Sequence, residues 1–334
     1  MKIDNFIRII DGTLQTSPSI DAFERVVFES GRTLRGDLFI DLYASAQAIH
    51  ESIAKGAYAI VSTRSFEGVD DEIAWIQVSS IDAMLVKLLR YTVTQKSLHL
   101  VHASDLQATW LDAIQTSPKS IKRLKGTLSE HAIELLKAKE NEWFCLSDNA
   151  LCHNIAPLAF SIKKPLHVKP FVAKGLFLSS FWHQERYWNE YKIPPLFMVD
   201  FEALLAFCDE HTIAYTLENL AFTEHFYPQF VTPSLRKKEF GASDKVLIFE
   251  TSAHLLEAEI TYLEQTLNPK HLCLCLPKGY VSSFTCKALV LPYQTPEDLH
   301  ILRDTPFQCA LVVGNKDAFE PLLTQAFSHQ PTLF

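Results

Sequence analysis

Short apolar runs alternate with amphipathic helical patterns along most of the chain. Near the N-terminus, the run Val26–Ile40 predicts a strand, the polar turn Gly36-Asp37 and a second strand, Leu38-Phe39-Ile40. A helix that ends at Gly56 and a strand over Ala57–Val61 follow. Continuous apolar strands separated by helices are typical of a parallel sheet that is covered on both faces. The pattern therefore predicts an α/β fold.

The same alternation recurs at both ends of the chain. The first block, residues 1–92, closes with a predicted strand over Ile73–Val78 and an amphipathic helix over Ser80–Tyr91, which Ser80 or Ser79 can cap. The last block, residues 243–334, is more regular. Its predicted strands are Lys245–Glu250, His271–Leu276, Ala288–Leu291 and Cys309–Val313, and its predicted helices are Ala253–Leu267, Pro296–Arg303 and Ala318–Phe327.

The middle block, residues 93–242, combines further elements with an aromatic segment. Its predicted strands are Lys96–Val101, Leu196–Val199 and Thr212–Leu217, and its predicted helices are Asp105–Gln115 and one that Asp200 caps and His211 ends. The aromatic residues of the segment are Phe171, Phe177, Phe181, Trp182, Tyr187, Trp188 and Tyr191. The last three have the spacing of neighbours on a helix. We predict that this segment serves packing or partner contact in place of catalysis.

Composition narrows the class of protein. A chain of 334 residues with 48% hydrophobic and 21% charged residues has enough material for two or three domains. Its net charge of -8 argues against nucleic-acid binding, which needs a clustered basic surface. No run approaches the length of an apolar membrane span. Seven scattered cysteines do not suggest a disulfide framework, so we expect a cytoplasmic, reduced protein.

The sequence gives only weak signals for a metal site or for a catalytic nucleophile. His99 and His102 would point to opposite faces of one strand. Cys145, Cys152 and His153 have loose metal-like spacing without a fourth ligand. No Gly-x-Ser-x-Gly nucleophile turn occurs. We therefore assign no metal site and no catalytic residue from the sequence.

The N-terminal pattern resembles the first domain of the Mur ligase family, most closely its D-alanyl-D-alanine-adding member of peptidoglycan synthesis. That family has Asp-Ser-Arg, five residues, Asp-Leu-Phe, and later a helix closing on Gly-Ala-x-Ala-x-Val. The positions in register are Ser30, Gly36, Asp37, Leu38, Phe39, Gly56, Ala57, Ala59 and Val61. Two positions depart: Glu29 replaces the Asp, and Gly31 stands where the Arg belongs, with Arg32 one place later.

The resemblance implies a degenerate paralogue with a three-domain Mur ligase-like α/β architecture. The implied domains are an N-terminal-like domain over residues 1–92, a degenerate and shortened central domain over 93–242, and a Rossmann-like C-terminal domain over 243–334. The order of the blocks is that of the family, while the middle block is shorter than the family's nucleotide-binding domain.

The resemblance also implies where a ligand would bind and where polar ligands have been replaced. Ser30 and Arg32, beside the Gly36-Asp37 turn, are the residues expected to contact a UDP-linked precursor, because Arg32 can form a charge-assisted pair with a diphosphate. In the last block, Glu250–His254 stands where the family has Asp-x-Tyr-Asn-Ala-Asn-Pro. Leu311–Lys316 stands where it has Leu-Val-Lys-Gly-Ser-Arg.

Mur ligases activate a carboxylate as an acyl phosphate, and they hold ATP with a strand, Gly-Ser/Thr-x-Gly-Lys-Thr-Thr and a helix. The equivalent residues here are His102, Ala103, Ser104, Asp105, Leu106, Gln107, Ala108 and Thr109. Leu106 places a Cβ where glycine lets the backbone approach a phosphate. Gln107 lacks the lysine charge, and Asp105 repels an anion. We expect that Ser104, Gln107 and Thr109 belong to a degenerate loop without ATP chemistry.

Three hypotheses of function follow from this resemblance. The leading one is a non-catalytic protein in or near cell-wall precursor synthesis, which uses no cofactor and binds a UDP-muramoyl-peptide or another cell-wall synthesis protein. The second is an active ligase with an atypical loop that still requires ATP and Mg2+. The third is an interaction or scaffold protein without a small-molecule ligand, which uses the aromatic segment of the middle block.

Overall fold

The computed structural model describes residues 1–65, 70–115, 120–165, 169–218, 220–281 and 284–324. In chain order the helices are α1 (Ile3–Ile10), α2 (Ala46–Ala54), α3 (Ile81–Gln95), α4 (Asp105–Ile114), α5 (Leu128–Lys137), α6 (Asn149–Ile155), α7 (Met198–Glu210), α8 (Leu256–Thr266) and α9 (Lys316–Thr324). Short 3-10 helices span Ser30–Arg32, Pro195–Phe197, Pro269–His271 and Pro296–Arg303.

The strands belong to four sheets. They are β1 (Thr13–Leu14), β2 (Val26–Val27), β3 (Leu38–Ile40), β4 (Ala59–Ser62), β5 (Ala74–Gln77), β6 (His99–His102), β7 (Ile121–Arg123), β8 (Trp143–Leu146), β9 (Phe160–Ser161), β10 (Phe171–Lys174), β11 (Leu178–His183), β12 (Arg186–Tyr191), β13 (Tyr227–Val231), β14 (Lys245–Glu250), β15 (Leu272–Pro277), β16 (Leu289–Tyr293) and β17 (Cys309–Val313).

The chain divides into two compact units. The first contains Met1–Ser104 and Ser117–Ile162, and the second contains Asp105–Thr116 and Lys163–Phe334. No described helix has the length and apolar character needed to cross a membrane. The predicted division into three domains, at residues 92 and 242, stays a prediction.

The first sheet of the first unit has the order β1-β5-β4-β3-β2, and all of its pairs except β1–β5 are parallel. Every residue of β3 is buried, because apolar side chains cover both faces. Leu38 and Ile40 lie in a core cluster that includes residues of α1 and α3, and Phe39 lies in a separate cluster with Ile49 of α2. The predicted parallel sheet and its flanking helices are confirmed, as is the cap of α3 by Ser80.

An ion pair between the half-exposed Arg25 and the buried Asp37 holds the turn that precedes β3. Gly36 has a φ of 94°, a conformation that glycine adopts without strain. Asp37 follows it and is 1% exposed. Its carboxylate accepts hydrogen bonds from Arg25 Nε at 2.9 Å, from Arg25 Nη2 at 2.7 Å and from the Leu34 amide at 2.8 Å. Burial alone would raise the pKa of Asp37, but these hydrogen bonds outweigh it and hold that pKa below its usual value.

Replacement of Asp37 by alanine should therefore destabilise the first unit. Asp37→Ala leaves the Leu34 amide unpaired and Arg25 without its carboxylate, at an expected cost of about 2–3 kcal/mol in the free energy of unfolding. Because the pKa is lowered, this stabilisation is complete above the usual aspartate pKa and is lost as pH falls through the lowered value. Urea titration of both proteins measures the difference.

Asp11→Asn is the control for this prediction, because asparagine removes the charge and tolerates the positive φ of 56° at this position. Asp11 pairs with Lys87 at 3.0 Å, but its side chain is 84% exposed. Solvent-exposed ion pairs contribute less than about 1 kcal/mol. Equal destabilisation by the two substitutions would show that the buried carboxylate has no special role.

The second sheet of the first unit is wholly parallel, with the order β7-β8-β6-β9. Helices α5 and α6 both pack against α3, which therefore contributes to the core of both sheets. The predicted strand over Lys96–Val101 is β6, and the predicted helix over Asp105–Gln115 is α4.

The large sheet of the second unit has the order β13-β14-β17-β15-β16. Its last four strands are parallel, and β13 is antiparallel to β14. All four strands predicted for the last block are present. The element over Pro296–Arg303 is a 3-10 helix, and the described part of the closing helix ends at Thr324. The predicted continuation of that helix to Phe327 lies outside the described residues.

The aromatic segment forms β10, β11 and β12, an antiparallel sheet, so its helical interpretation was wrong. Gln184 and Glu185 both have positive φ, as in the two-residue turns that join tight hairpins. Trp182 and Tyr187 are cross-strand partners with ring centroids 5.4 Å apart, and Trp182 is 62% exposed. Phe181, by contrast, is buried. The aromatic content that suits pleated strands outweighed the helix-like spacing.

Two smaller predictions in the middle block also require correction. The predicted strand over Leu196–Val199 is the 3-10 helix Pro195–Phe197 followed by the start of α7, so Asp200 lies in the first turn of α7 and does not cap it. The predicted strand over Thr212–Leu217 is irregular chain with one bridge, between Gln115 and Tyr215. The first error arises because a short apolar run has no period that separates strand from helix. The second segment alternates as a strand does, with Ile213 and Leu217 buried and Thr212 and Ala214 exposed, but it forms only that one bridge.

Candidate functional site

The segment that the sequence predicts to be the counterpart of an ATP loop is short and largely buried. β6 ends at His102 and α4 begins at Asp105, so only Ala103 and Ser104 lie between them. Leu106 is 2% exposed. A phosphate-binding loop needs glycines and a row of backbone N–H groups that face the ligand. This strand-to-helix connection contains no glycine.

The charges around the start of α4 also oppose a phosphate. Asp105 places a carboxylate in the first turn, where the partial positive charge of the helix terminus would otherwise attract an anion. Gln107 is 4% exposed and neutral. Thr109 Oγ1 lies 3.4 Å from Glu224 Oε1, to which it donates. Burial lowers the pKa of His102, which disfavours its cationic form. The residues of this segment do not fit ATP with Mg2+.

The two residues expected to contact a UDP-linked precursor lie in the 3-10 helix Ser30–Arg32, and their side chains point to different partners. Ser30 Oγ donates to Glu51 Oε2 at 2.6 Å. Lys55 Nζ donates to Glu51 Oε1 at 2.7 Å and to the Gly31 carbonyl at 2.9 Å. Hydrogen bonds from Lys55 and Ser30 lower the pKa of Glu51. Ser30 is therefore held by α2.

Arg32, in contrast, lines an open groove of about 500 Å3 in the first unit. Its Nε lies 2.8 Å from Glu29 Oε2, and the arginine side chain is 75% exposed. Two further cations, Arg25 and Lys137, line the same groove. The sequence comparison missed them because Lys137 lies on α5, far along the chain, and Arg25 precedes the matching motif.

The described residues bring no metal site together. The rings of His99 and Trp143 stack with centroids 4.4 Å apart. Burial raises the pKa of Cys152 to about 11, which keeps the thiol neutral, and Cys145 is also buried. Within the described part of the chain, no three side chains of the metal-binding types form a group that could hold an ion.

A buried network that the sequence did not reveal lies at the carboxyl end of β14. Glu250 is the last residue of β14 and is fully buried. It accepts hydrogen bonds from His225 Nδ1 at 2.7 Å, from the Phe226 amide at 3.0 Å and from the Ser252 amide at 2.5 Å. Glu259 of α8 is also fully buried, and no described donor reaches its carboxyl oxygens.

The two carboxyl groups of this network share one negative charge. Burial and the neighbouring charge of Glu250 raise the pKa of Glu259 well above its usual value. Burial also opposes ionisation of Glu250, but hydrogen bonds from His225 and Glu259 outweigh it and lower the pKa of Glu250. Glu259 therefore keeps its proton in the folded state and donates to ionised Glu250. The network fixes the residues that precede β13 against the end of β14.

Substitution of Glu259 by glutamine should remove a pH dependence of stability. The raised pKa means that the folded chain keeps a proton that the unfolded chain releases, so this contribution to stability is lost as pH rises above the usual glutamate value. Glu259→Gln retains a donor to Glu250 without that loss. Its stability relative to the native chain should increase between about pH 5.5 and about pH 8.

Thermal and urea unfolding across that range measure the effect. Glu257→Gln, an exposed residue on the same helix, is the control and should show no pH-dependent difference. A Glu259→Gln curve that runs parallel to that of the native chain would contradict the protonated state of Glu259.

These two units, with their parallel sheets and flanking helices, define a Mur ligase-like, multi-domain α/β fold. MurF from Acinetobacter baumannii superposes with a TM-score of 0.57 at 11% sequence identity, over 96% of this chain and 97% of that chain. The MurF ligase from Thermotoga maritima in complex with ADP gives a TM-score of 0.56 at 12% identity, over 90% and 96% of the two chains. No family model and no curated protein matches the sequence. At these identities the similarity establishes the fold.

Proposed function

We propose that this chain is a non-catalytic Mur ligase-like protein of peptidoglycan precursor synthesis, which binds a UDP-muramoyl-peptide or a partner protein of that process. The observation that carries the proposal is the connection between β6 and α4. By the resemblance in sequence it is the counterpart of the family's ATP loop, with Leu106 and Gln107 in place of the second glycine and the lysine, and with Asp105 adding a negative charge. A protein without a phosphate cradle has no route to an acyl phosphate.

The open groove of the first unit supports the choice of ligand. A diphosphate in this groove would meet Arg32, Arg25 and Lys137. Arg25 already binds Asp37 through two hydrogen bonds, so Arg32 and Lys137 are the cations left for a ligand. The pair of Arg32 with Glu29 is exposed and therefore weak, so a diphosphate can displace Glu29.

Mg2+ should not promote binding of ATP at millimolar concentrations, and no phosphate should be released. Thermal unfolding with ATP, with and without Mg2+, tests binding. Phosphate release in the presence of UDP-muramoyl-tripeptide and D-alanyl-D-alanine tests activity, with a Mur ligase that has an intact loop as the positive control. A Mg2+-dependent thermal shift or release of phosphate would favour the alternative of an active ligase with an atypical loop.

Binding of UDP-muramoyl-tripeptide should change in opposite directions in two neighbouring variants. Arg32→Ala removes a cation and should weaken binding about fivefold, the equivalent of roughly 1 kcal/mol. Glu29→Gln frees Arg32 and should tighten binding. Calorimetry measures both, and Lys87→Ala, which removes an exposed paired cation elsewhere in the unit, is the control.

These measurements distinguish a UDP-muramoyl-peptide from a partner protein as the ligand. Binding that neither substitution alters would exclude the groove as the diphosphate site. Absence of any binding to the native chain would leave the partner protein as the ligand. The exposed pair Trp182 and Tyr187 is a surface on which such a partner can be sought.

A further inference from the structure

A pocket of about 350 Å3 lies in the second unit, among β12, β13 and the segment that follows β13. Phe222, Tyr227, Phe230 and Phe240 form its aromatic lining. Its volume is in the range of small-molecule sites, which are mostly apolar with a few polar groups. It involves neither the groove of the first unit nor the degenerate ATP loop.

Within the aromatic lining, the ring of Phe240 is exposed to solvent. Phe222 and Phe240 stack with centroids 5.3 Å apart and an angle of 29° between their planes. Phe240 also packs edge to face against Phe230 at 5.1 Å. These two ring contacts fix Phe240, yet this side chain is 49% exposed. An aromatic ring that is fixed in position and half exposed to solvent can stack with a second flat ring.

Three lysines border the same space. Lys237 forms an ion pair with Glu320 at 3.0 Å, whereas Lys192 and Lys238 pair with no carboxylate among the described residues. The Lys192 ammonium lies 5.9 Å from the centre of the Phe222 ring. One carboxylate, that of Glu190, faces the pocket. Two unneutralised cations against one carboxylate favour an anionic ligand, in a chain whose net charge is -8.

Hydrogen bonds fix the backbone that lines the pocket at Phe230 and Lys238. Gln229 is 6% exposed, and its Nε2 donates to the Phe230 carbonyl at 2.9 Å and to the Lys238 carbonyl at 3.2 Å. The Lys238 amide donates to the Phe230 carbonyl at 2.8 Å. These bonds fix the backbone of Lys238 beside the aromatic lining, so little conformational entropy is lost when a ligand binds.

We propose that this pocket binds a small ligand in which a flat aromatic ring carries an anionic group. The ring stacks against Phe240 and Phe222, and the anion pairs with Lys192 and Lys238. A nucleoside monophosphate and an aromatic carboxylate share this chemistry.

Calorimetry at low salt with AMP and with indole-3-acetate tests the proposal, and adenosine and inorganic phosphate serve as the two half-ligands. At least one ring-bearing anion should bind with a Kd below about 1 mM, and about tenfold more tightly than either half-ligand. Which of the two binds identifies the source of the anion. Failure of both, or equal binding of a half-ligand, would overturn the proposal.

Two substitutions locate the site. Phe240→Ala and Lys238→Gln should each weaken binding by about fivefold or more. Both side chains are exposed enough for the fold to survive, which thermal unfolding checks. Lys270→Gln, an exposed lysine of the same unit, is the control and should leave affinity unchanged. Unchanged binding in both pocket variants would also overturn the assignment.

Discussion

A carboxylate that is buried beside a parallel strand must accept hydrogen bonds from nearby donors. This constraint determines which residues surround a strand end in each of the two units. Asp37 stands immediately before β3, and Glu250 is the last residue of β14. Asp37 is matched by a guanidinium and a backbone amide. Glu250 is matched by an imidazole, two backbone amides and a protonated carboxyl group. In each case the polar network fixes a loop at the end of an otherwise apolar strand.

The same constraint gives the Gly36-Asp37 turn a role in the fold itself. The Gly36-Asp37 turn, which the resemblance to Mur ligases rests on, has a structural role that persists without any ligand. At the start of α4, Leu106 and Gln107 are both buried, so these two positions contribute to the packed surface of the helix. The fold similarity to MurF and the proposed absence of ATP chemistry are therefore compatible.

Local pattern predicted most of the fold and little of the site. The first and last blocks were predictable because their strands are continuous apolar runs between recognisable caps and turns, as in β3 and β14. The hairpin β11–β12 was not, because its turn, Gln184-Glu185, has none of the glycine or asparagine that usually marks such a turn. The position of Lys137 in the groove and the pairing of His225 with Glu250 depend on residues distant in sequence, and no periodicity encodes such contacts.

The proton held by Glu259 has a consequence for the heat of unfolding. When the network opens near neutral pH, that proton passes to the buffer, and the heat of buffer protonation is added to the heat of breaking the fold. Apparent enthalpies will then depend on the buffer chosen, most strongly between phosphate and amine buffers. Extrapolation across several buffers to zero protonation heat would recover the intrinsic value and count the protons that the fold retains.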